Sequence, residues 1–232
     1  MPVYPLGNRP DLFPDPRKVD IDPSGLIAVG GDLSPRRLMA GYHQGIFPWY
    51  SPGDPILWWC PDPRAVILPQ HFHLSRSLGK WRRQGRYQVT VDQDFISVIN
   101  GCAAPRPESP GTWIVPEMKA AYIALHREGH AHSVEVHAND RLVGGLYGVL
   151  IGRMFFAESM FSRAPNASKF ALAALLVDNC LGPLALLDCQ FATEHLLSLG
   201  AEEWPRARFL NHAQAAMRAV MPNRETKRSQ HG

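Results

Sequence analysis

The chain has 232 residues, 45% of them apolar and 9% aromatic, which supplies a full hydrophobic core and excludes a disordered chain. No apolar run is long enough to cross a bilayer, and Met1-Pro-Val-Tyr4 lacks the charged start and apolar stretch of a signal peptide, so a cytoplasmic protein with no membrane partner is expected. The net charge of +3 hides an uneven distribution: segments 71–91 and 206–232 carry +5 each and leave −7 on the rest, and concentrated positive charge is what a polyanion requires.

Residues 1–24 are rich in Pro and Asp, without periodicity, and read as an extended arm over the body. Gly25 to Leu33 is a short apolar stretch whose glycines make no GxGxxG nucleotide loop. Ser34 followed by Pro35 predicts a helix over about 35–44, with Leu33 and Leu38 placed as a hydrophobic staple. Then aromatics alternate with prolines, from Gly45 to Pro52 and from Leu57 to Arg64. Trp58 and Trp59 read as core fillers; for Trp49 and Tyr50 a stacking surface for a base and simple packing are both open.

Ala65-Val-Ile-Leu68 reads as a strand, and a helix follows near 75–84. Its Leu74, Leu78 and Trp81 share one face, whereas Arg76, Lys80 and Arg83 recur on the opposite one, with Arg82 adjacent. A solvated face normally mixes signs; this segment holds no acid, which points to phosphate contact. Tyr87 to Val91 alternates as a strand, 94–102 is helical, and a proline-rich loop carries Trp113 toward a helix starting at Pro116 and stopping at Gly129. Val115 is a poor cap, so Thr112 or water is expected to satisfy the first amides, and Trp113 is either a second stacking residue or a plug.

His132–His137 and Arg141–Gly152 form a hairpin around Ala138-Asn-Asp140. The strand 153–162 carries Glu158 in an apolar setting, where a carboxylate must be paired or must meet an external cation. Asn166 or Ser168 opens an apolar helix reaching about Leu181. Leu184-Ala-Leu-Leu-Asp-Cys-Gln190 reads as a buried central strand whose carboxyl end emerges at a surface. Asp188 and Gln190, two apart, then share a face, either as a catalytic pair or as a cap or ion-pair partner for a neighbour. Short helices are expected over 193–199 and 208–220. Cys60, Cys102, Cys180 and Cys189 show no CxxC spacing, which fits reduced, mostly buried thiols and no metal.

The order hairpin, strand, long helix, strand, helix matches an N-acetyltransferase (GNAT-type) fold. The loop Phe161–Ser168, where such enzymes cradle the pyrophosphate of acetyl-CoA, has no glycine and carries Pro165, which argues against CoA. A non-enzymatic RNA-binding module leaves Glu158 and the Asp188/Gln190 pair unexplained.

Many blocks in sequence carry a specific likeness: Val29-Gly-Gly-Asp-Leu33, Gly45-Ile-Phe-Pro-Trp-Tyr50, Trp58-Trp-Cys-Pro-Asp-Pro-Arg64, His132-Ser-Val-Glu-Val136, Gly144-Gly-Leu-Tyr-Gly148, Glu158-Ser-Met-Phe-Ser162 and Asp188-Cys-Gln190. Through them the chain resembles the leucyl/phenylalanyl-tRNA–protein transferase family. The resemblance implies an α/β (α+β) fold, with a small N-terminal α+β domain over 1–64 and a GNAT-like catalytic domain over 65–232. It implies transfer of Leu or Phe, and Met less well, from aminoacyl-tRNA to proteins with an N-terminal Arg or Lys, marking them for degradation, without cofactor or metal. Nothing in the sequence demands more than a monomer.

By the same resemblance Asp188, Gln190 and Glu158 are the catalytic group: Asp188 attracts or takes the ammonium proton, Gln190 orients the amine or donates to the oxyanion, and Glu158 meets the cationic acceptor. Leu146, Phe155, Leu172 and Leu187 line the donor side-chain pocket, Trp49 and Trp113 hold the terminal adenosine, and Arg76, Lys80, Arg82 and Arg83 hold the acceptor stem. Two departures stand out: Cys60 where Ser is expected, and Ala157 where Gly is expected, whose extra methyl narrows the donor pocket.

Overall fold

Ser34 and Pro35 act as the sequence predicts. In a computed structural model of the chain, describing residues 3–18, 24–105 and 114–221, the Ser34 hydroxyl accepts from the Arg37 amide and starts α1 (Pro35–Tyr42). The side chain of Arg37 is buried and ties the arm down: it donates to the Gly7 carbonyl and to Asp32. The arm contributes a strand, β1 (Tyr4–Leu6), parallel to β2 (Leu26–Gly30). With β3 (Phe47–Pro48) and β4 (Leu57–Trp59) they make a four-stranded sheet ordered β1-β2-β4-β3.

Trp58 centres this layer. It is fully buried, meets Phe13 edge-on at 4.9 Å and donates its indole N–H to the Gly30 carbonyl at 2.9 Å. Trp58→Ala is expected to cost about 3–5 kcal/mol, visible as a lower denaturation midpoint.

The larger sheet has seven strands: β5 (Arg64–Ile67), β6 (Gln88–Val91), β7 (Ala131–Ala138), β8 (Arg141–Ile151), β9 (Met154–Ser162), β10 (Leu186–Gln190) and β11 (Glu202–Trp204). Their order is β11-β5-β10-β9-β8-β7-β6, so β10 is interior, as its apolar run predicts. All neighbours are antiparallel except β9 and β10, which are parallel and joined through α5 (Ala167–Leu176). This is the hairpin, strand, helix, strand order expected of the second half. Strand β11 escapes sequence reading because two of its three residues are Glu; the buried Trp204 and pairing with β5 hold it.

The helix α5 ends five residues before the predicted Leu181. Apolar residues continue, but Asn179 takes φ +54° and the Asp178 amide turns back to the Ala173 carbonyl, a left-handed closure that the apolar pattern does not reveal. The helix expected over 193–199 appears as the short α6 (Glu194–Ser198), and the last helix, α7 (Arg206–Arg218), starts earlier than expected, because Asp62 accepts the Arg206 amide at 3.1 Å from 144 positions away. The helix over 94–102 appears as α3 (Phe95–Ala103), capped by Asp94, and α4 (Pro116–Arg127) begins at Pro116. Val115 offers no side-chain cap; Thr112 lies outside the described residues.

Two apolar cores lie against the large sheet. One joins it to the small sheet, α1, α3, α4 and α7 through residues such as Trp58, Phe156 and Phe209; the other holds α5 and α2 (Arg76–Arg83) through Leu78, Leu172 and Leu187. Among the described residues no helix is long and apolar enough to cross a membrane.

Candidate active site

The parallel ladder of β9 and β10 stops early. It pairs Leu186–Asp188 with Met154–Phe156, although both strands run on. Just beyond it, each strand bulges. Against β8, Ser159 faces Tyr147 and Ala157 faces Gly148, which leaves Glu158 as the extra residue. Against β5, Asp188 faces Val66 and Gln190 faces Ala65, with Cys189 between. Bulges re-aim side chains, and here two of them turn Glu158 and Gln190 into the gap between adjacent strands. Gly148 is required behind the first: a Cβ there would lie 2.1 Å from the Phe156 carbonyl oxygen.

Two cavities, of about 180 and 120 Å³, open on this gap and share Glu158, Cys189 and Gln190. The first is aromatic, walled by Phe47, Pro48, Trp49 and Phe191. Trp49 and Phe191 are 41% and 38% exposed, with ring centroids 5.4 Å apart, so they offer an open face at the rim. The second is apolar, lined by Leu146, Leu172, Leu187, Met160 and Leu196, with the departure residue Ala157 in its wall. Three of the four predicted donor-pocket residues therefore meet. Phe155 does not line it: it is fully buried, opposite Leu187 in the ladder, with its ring against Gly148.

Glu158 is held by two phenols. Tyr42 donates to one carboxylate oxygen at 2.6 Å and Tyr122 to the other at 2.7 Å. Burial pushes its carboxyl up to about 7, although both hydrogen bonds pull the other way, Asp188 adds to the rise and Arg64 opposes it. Burial and the Glu158 charge raise both phenols far above their ordinary range, so they keep their protons; the two hydroxyls also meet each other at 2.6 Å, a third contact for two hydrogens that is completed when the Glu158 carboxyl carries its proton. Sequence reading did not find Tyr42 and Tyr122, which look like ordinary apolar-face residues of α1 and α4; their 116- and 36-residue separations from Glu158 leave no local trace.

Asp188 is not at an exposed strand end. It and Arg64 are both fully buried, and the guanidinium forks onto the carboxylate: Nε to Oδ1 at 2.7 Å and Nη2 to Oδ2 at 2.6 Å. Arg64 is clamped between the rings of Phe47 and Phe209, 4.6 and 4.5 Å from their centroids. Nor do Asp188 and Gln190 share a face as a regular strand requires, because the bulge intervenes. Gln190 takes φ +60°, and the Phe191 amide bonds the Cys189 carbonyl at 2.7 Å, closing a γ-turn. Such a positive-φ turn is strained by roughly 1–3 kcal/mol for a non-glycine residue and persists only where surroundings impose it. Its carboxamide nitrogen is buried with no hydrogen-bond partner among the described residues, while its backbone amide donates to Asp188 Oδ1 at 3.0 Å.

Comparison with known proteins decides the family. Residues 66–214 match the profile described as leucyl/phenylalanyl-tRNA protein transferase, and residues 31–62 match the N-terminal domain of the same family. The chain belongs to this family. It is 56% identical over 200 residues to the leucyl/phenylalanyl-tRNA–protein transferase of Pseudomonas entomophila, covering 86% of this chain and 88% of that one. Against the enzyme of the same name from Pseudomonas syringae pv. syringae it is 55% identical over 206 residues, covering 88% and 90%. Among solved structures, a GCN5-related N-acetyltransferase from Kribbella flavida aligns at a TM-score of 0.37 and 11% identity over 72% of this chain and 60% of that one.

The remaining family-derived expectations sit as follows. The basic helix α2 packs beside α5, which also supplies Leu172 to the apolar cavity. Ser75 caps it by accepting the Leu78 amide, and Arg76, Lys80 and Arg83 are exposed. Arg82 is not part of that row: Asp178, just after α5, forms an ion pair with it and neutralises its charge. No acid lies within 71–91, but the fold brings one from 96 residues away. Cys60 is fully buried, its amide bonded to the Gly25 carbonyl. Trp113 lies outside the described residues.

Proposed function

We propose that this member of the transferase family moves Leu or Phe, and Met less well, from aminoacyl-tRNA to proteins that begin with Arg or Lys. The observation that carries the reading is the junction: an apolar and an aromatic cavity meet at one half-buried carboxylate and one carboxamide whose nitrogen has no partner among the described residues. The apolar cavity suits the side chain of the aminoacyl ester. The open face of Trp49 and Phe191 suits the terminal adenine. The ester carbonyl then lies near Gln190, and a cationic acceptor residue lies against Glu158.

The acceptor amine enters neutral and its lone pair attacks the ester carbonyl. The carbonyl oxygen takes up negative charge, which the Gln190 carboxamide N–H is placed to receive. Collapse breaks the bond to the ribose oxygen, which leaves with the proton the amine gives up, and a peptide bond and deacylated tRNA result. The ester is already activated, so no further energy source enters. Glu158 contributes by binding: a desolvated carboxylate with two fixed phenol donors has its outward lone pairs free for a guanidinium or ammonium.

The test is direct. Labelled Leu-tRNA mixed with a protein beginning with Arg is expected to yield label in acid-insoluble material that survives heating, and the same protein beginning with Ala is expected to yield none. Equal labelling of both acceptors would refute the role given to Glu158; labelling of neither would refute the reaction.

A further inference from the structure

We infer that Arg64 is a positioning residue for this reaction, acting through Asp188 to hold the turn that presents Gln190 and Phe191 to the cavities; the inference rests on the transfer reaction proposed above. Neither Arg64 nor Asp188 lines either cavity. Their hydrogen-bonded link to the site runs through one atom, because Asp188 Oδ1 accepts from Arg64 Nε and from the Gln190 amide together. That amide belongs to the strained residue of the γ-turn. If the carboxylate rotates, the Gln190 amide loses its acceptor, and the Phe191–Cys189 bond of the γ-turn is left to hold φ at +60° without that anchor.

Arg64 is what prevents the rotation. Both carboxylate oxygens are engaged by the two parallel donors of its fork, a geometry that an ammonium cannot reproduce. The guanidinium plane is itself fixed from two sides. Phe47 is a wall of the aromatic cavity, and Phe209 belongs to α7, so the same group ties the cavity wall, the strand end and the last helix together. Asp188 is thereby committed as a hydrogen-bond acceptor. In this arrangement it sets where the Gln190 carboxamide points, and it does not take the proton of the attacking amine.

Arg64→Lys and Asp188→Asn separate the two roles in steady-state transfer from Leu-tRNA to an Arg-initiated protein. Lysine keeps the charge and loses the fork, so kcat is expected to fall by about a hundredfold, as displacement of a reacting group by an ångström does, with both KM values nearly unchanged. Hydrogen exchange at the Gln190 amide is expected to quicken in the same variant, a change that loss of a proton acceptor alone does not produce. Asparagine keeps an Oδ1 acceptor for the Gln190 amide, cannot take a proton and opens the second arm of the fork, so Asp188→Asn is expected to fall no further than Arg64→Lys, with the Glu158 limb of the pH profile moved down and no other limb lost.

Wild-type kcat and wild-type Gln190 exchange in Arg64→Lys would overturn the proposal. So would a loss beyond about a thousandfold in folded Asp188→Asn together with loss of a pH limb other than that of Glu158, the mark of a true proton acceptor. Where a single variant strands a buried charge and unfolds, Arg64→Gln/Asp188→Asn removes both charges and retains a donor–acceptor pair. There the same kcat, KM and exchange readings apply. Wild-type enzyme that transfers nothing in this assay refutes the reaction itself and leaves the turn geometry untouched.

Discussion

Glu158→Gln is expected to lower transfer to an Arg-initiated protein by on the order of 10²–10³, the effect of removing one partner of a desolvated charge pair worth about 2–5 kcal/mol. The loss should fall on the acceptor, as a raised KM, while the affinity for Leu-tRNA stays put. Glutamine keeps an oxygen for one of the two phenols, so the fold around it survives and the charge alone is tested. The pH dependence gives a second reading. Below about 7 Glu158 holds a proton and cannot attract a cation; above it the carboxylate forms, so acceptor affinity rises with pH through about 7 and then levels. The acceptor's own amine must also lose a proton, near an ordinary value of about 7.7–8.0, which adds a separate limb. Glu158→Gln should erase the lower limb and keep the upper one. Stability should move in the opposite direction. Between the ordinary value of 4.5 and about 7 the unfolded chain ionises this group while the folded chain keeps its proton, so wild-type stability falls as pH rises through that window. In Glu158→Gln this slope should disappear. An unchanged acceptor KM in the variant would place the cation elsewhere.

What sequence reading reached and what it missed divide by distance along the chain. Ser34-Pro35, the Ala138-Asn-Asp140 turn and the apolar run of β10 are local statements, and the fold keeps each of them. The apolar setting of Glu158 and the strand-end position of Gln190 marked both before the family blocks gave them roles, and the structure brings both to one gap. Nothing local gives the two bulges that put them there, because a bulge depends on which residue of the neighbouring strand stands opposite. The period-two rule therefore placed Asp188 and Gln190 on one face, whereas one extra residue separates them. Arg64, Tyr42 and Tyr122 were passed over for a related reason: each acts on a residue 36 to 124 positions away. Phe191, next to Gln190, was within reach, since an exposed aromatic after a strand-end polar pair is a rim residue by position, but its partner Trp49 sits just after β3 of the other sheet. The charge count over 71–91 was sound for the segment and misleading for Arg82, whose counter-charge comes from Asp178.

That distinction makes the basic helix a quantitative test. Arg76, Lys80 and Arg83 are exposed on α2, and no described acid pairs with any of them. If each contacts one phosphate of the tRNA, each contributes roughly −0.7 to −0.9 to the slope of log affinity against log salt. Changing all three to Gln is then expected to make that slope shallower by roughly 2–3 and to weaken Leu-tRNA binding by about a hundredfold at 0.1 M salt. Transfer should recover when tRNA is raised to saturation, because none of the three lines either cavity. Arg82→Gln is the internal control. Its charge is already balanced by Asp178, so the salt slope should stay at the wild-type value, and the lost surface pair should cost no more than about 1 kcal/mol of stability. A triple variant with the wild-type slope would remove phosphate contact from this helix. A slope shallower by roughly 0.7–0.9 in Arg82→Gln would mean that the ion pair opens when tRNA binds, and that all four cations, not three, face the nucleic acid.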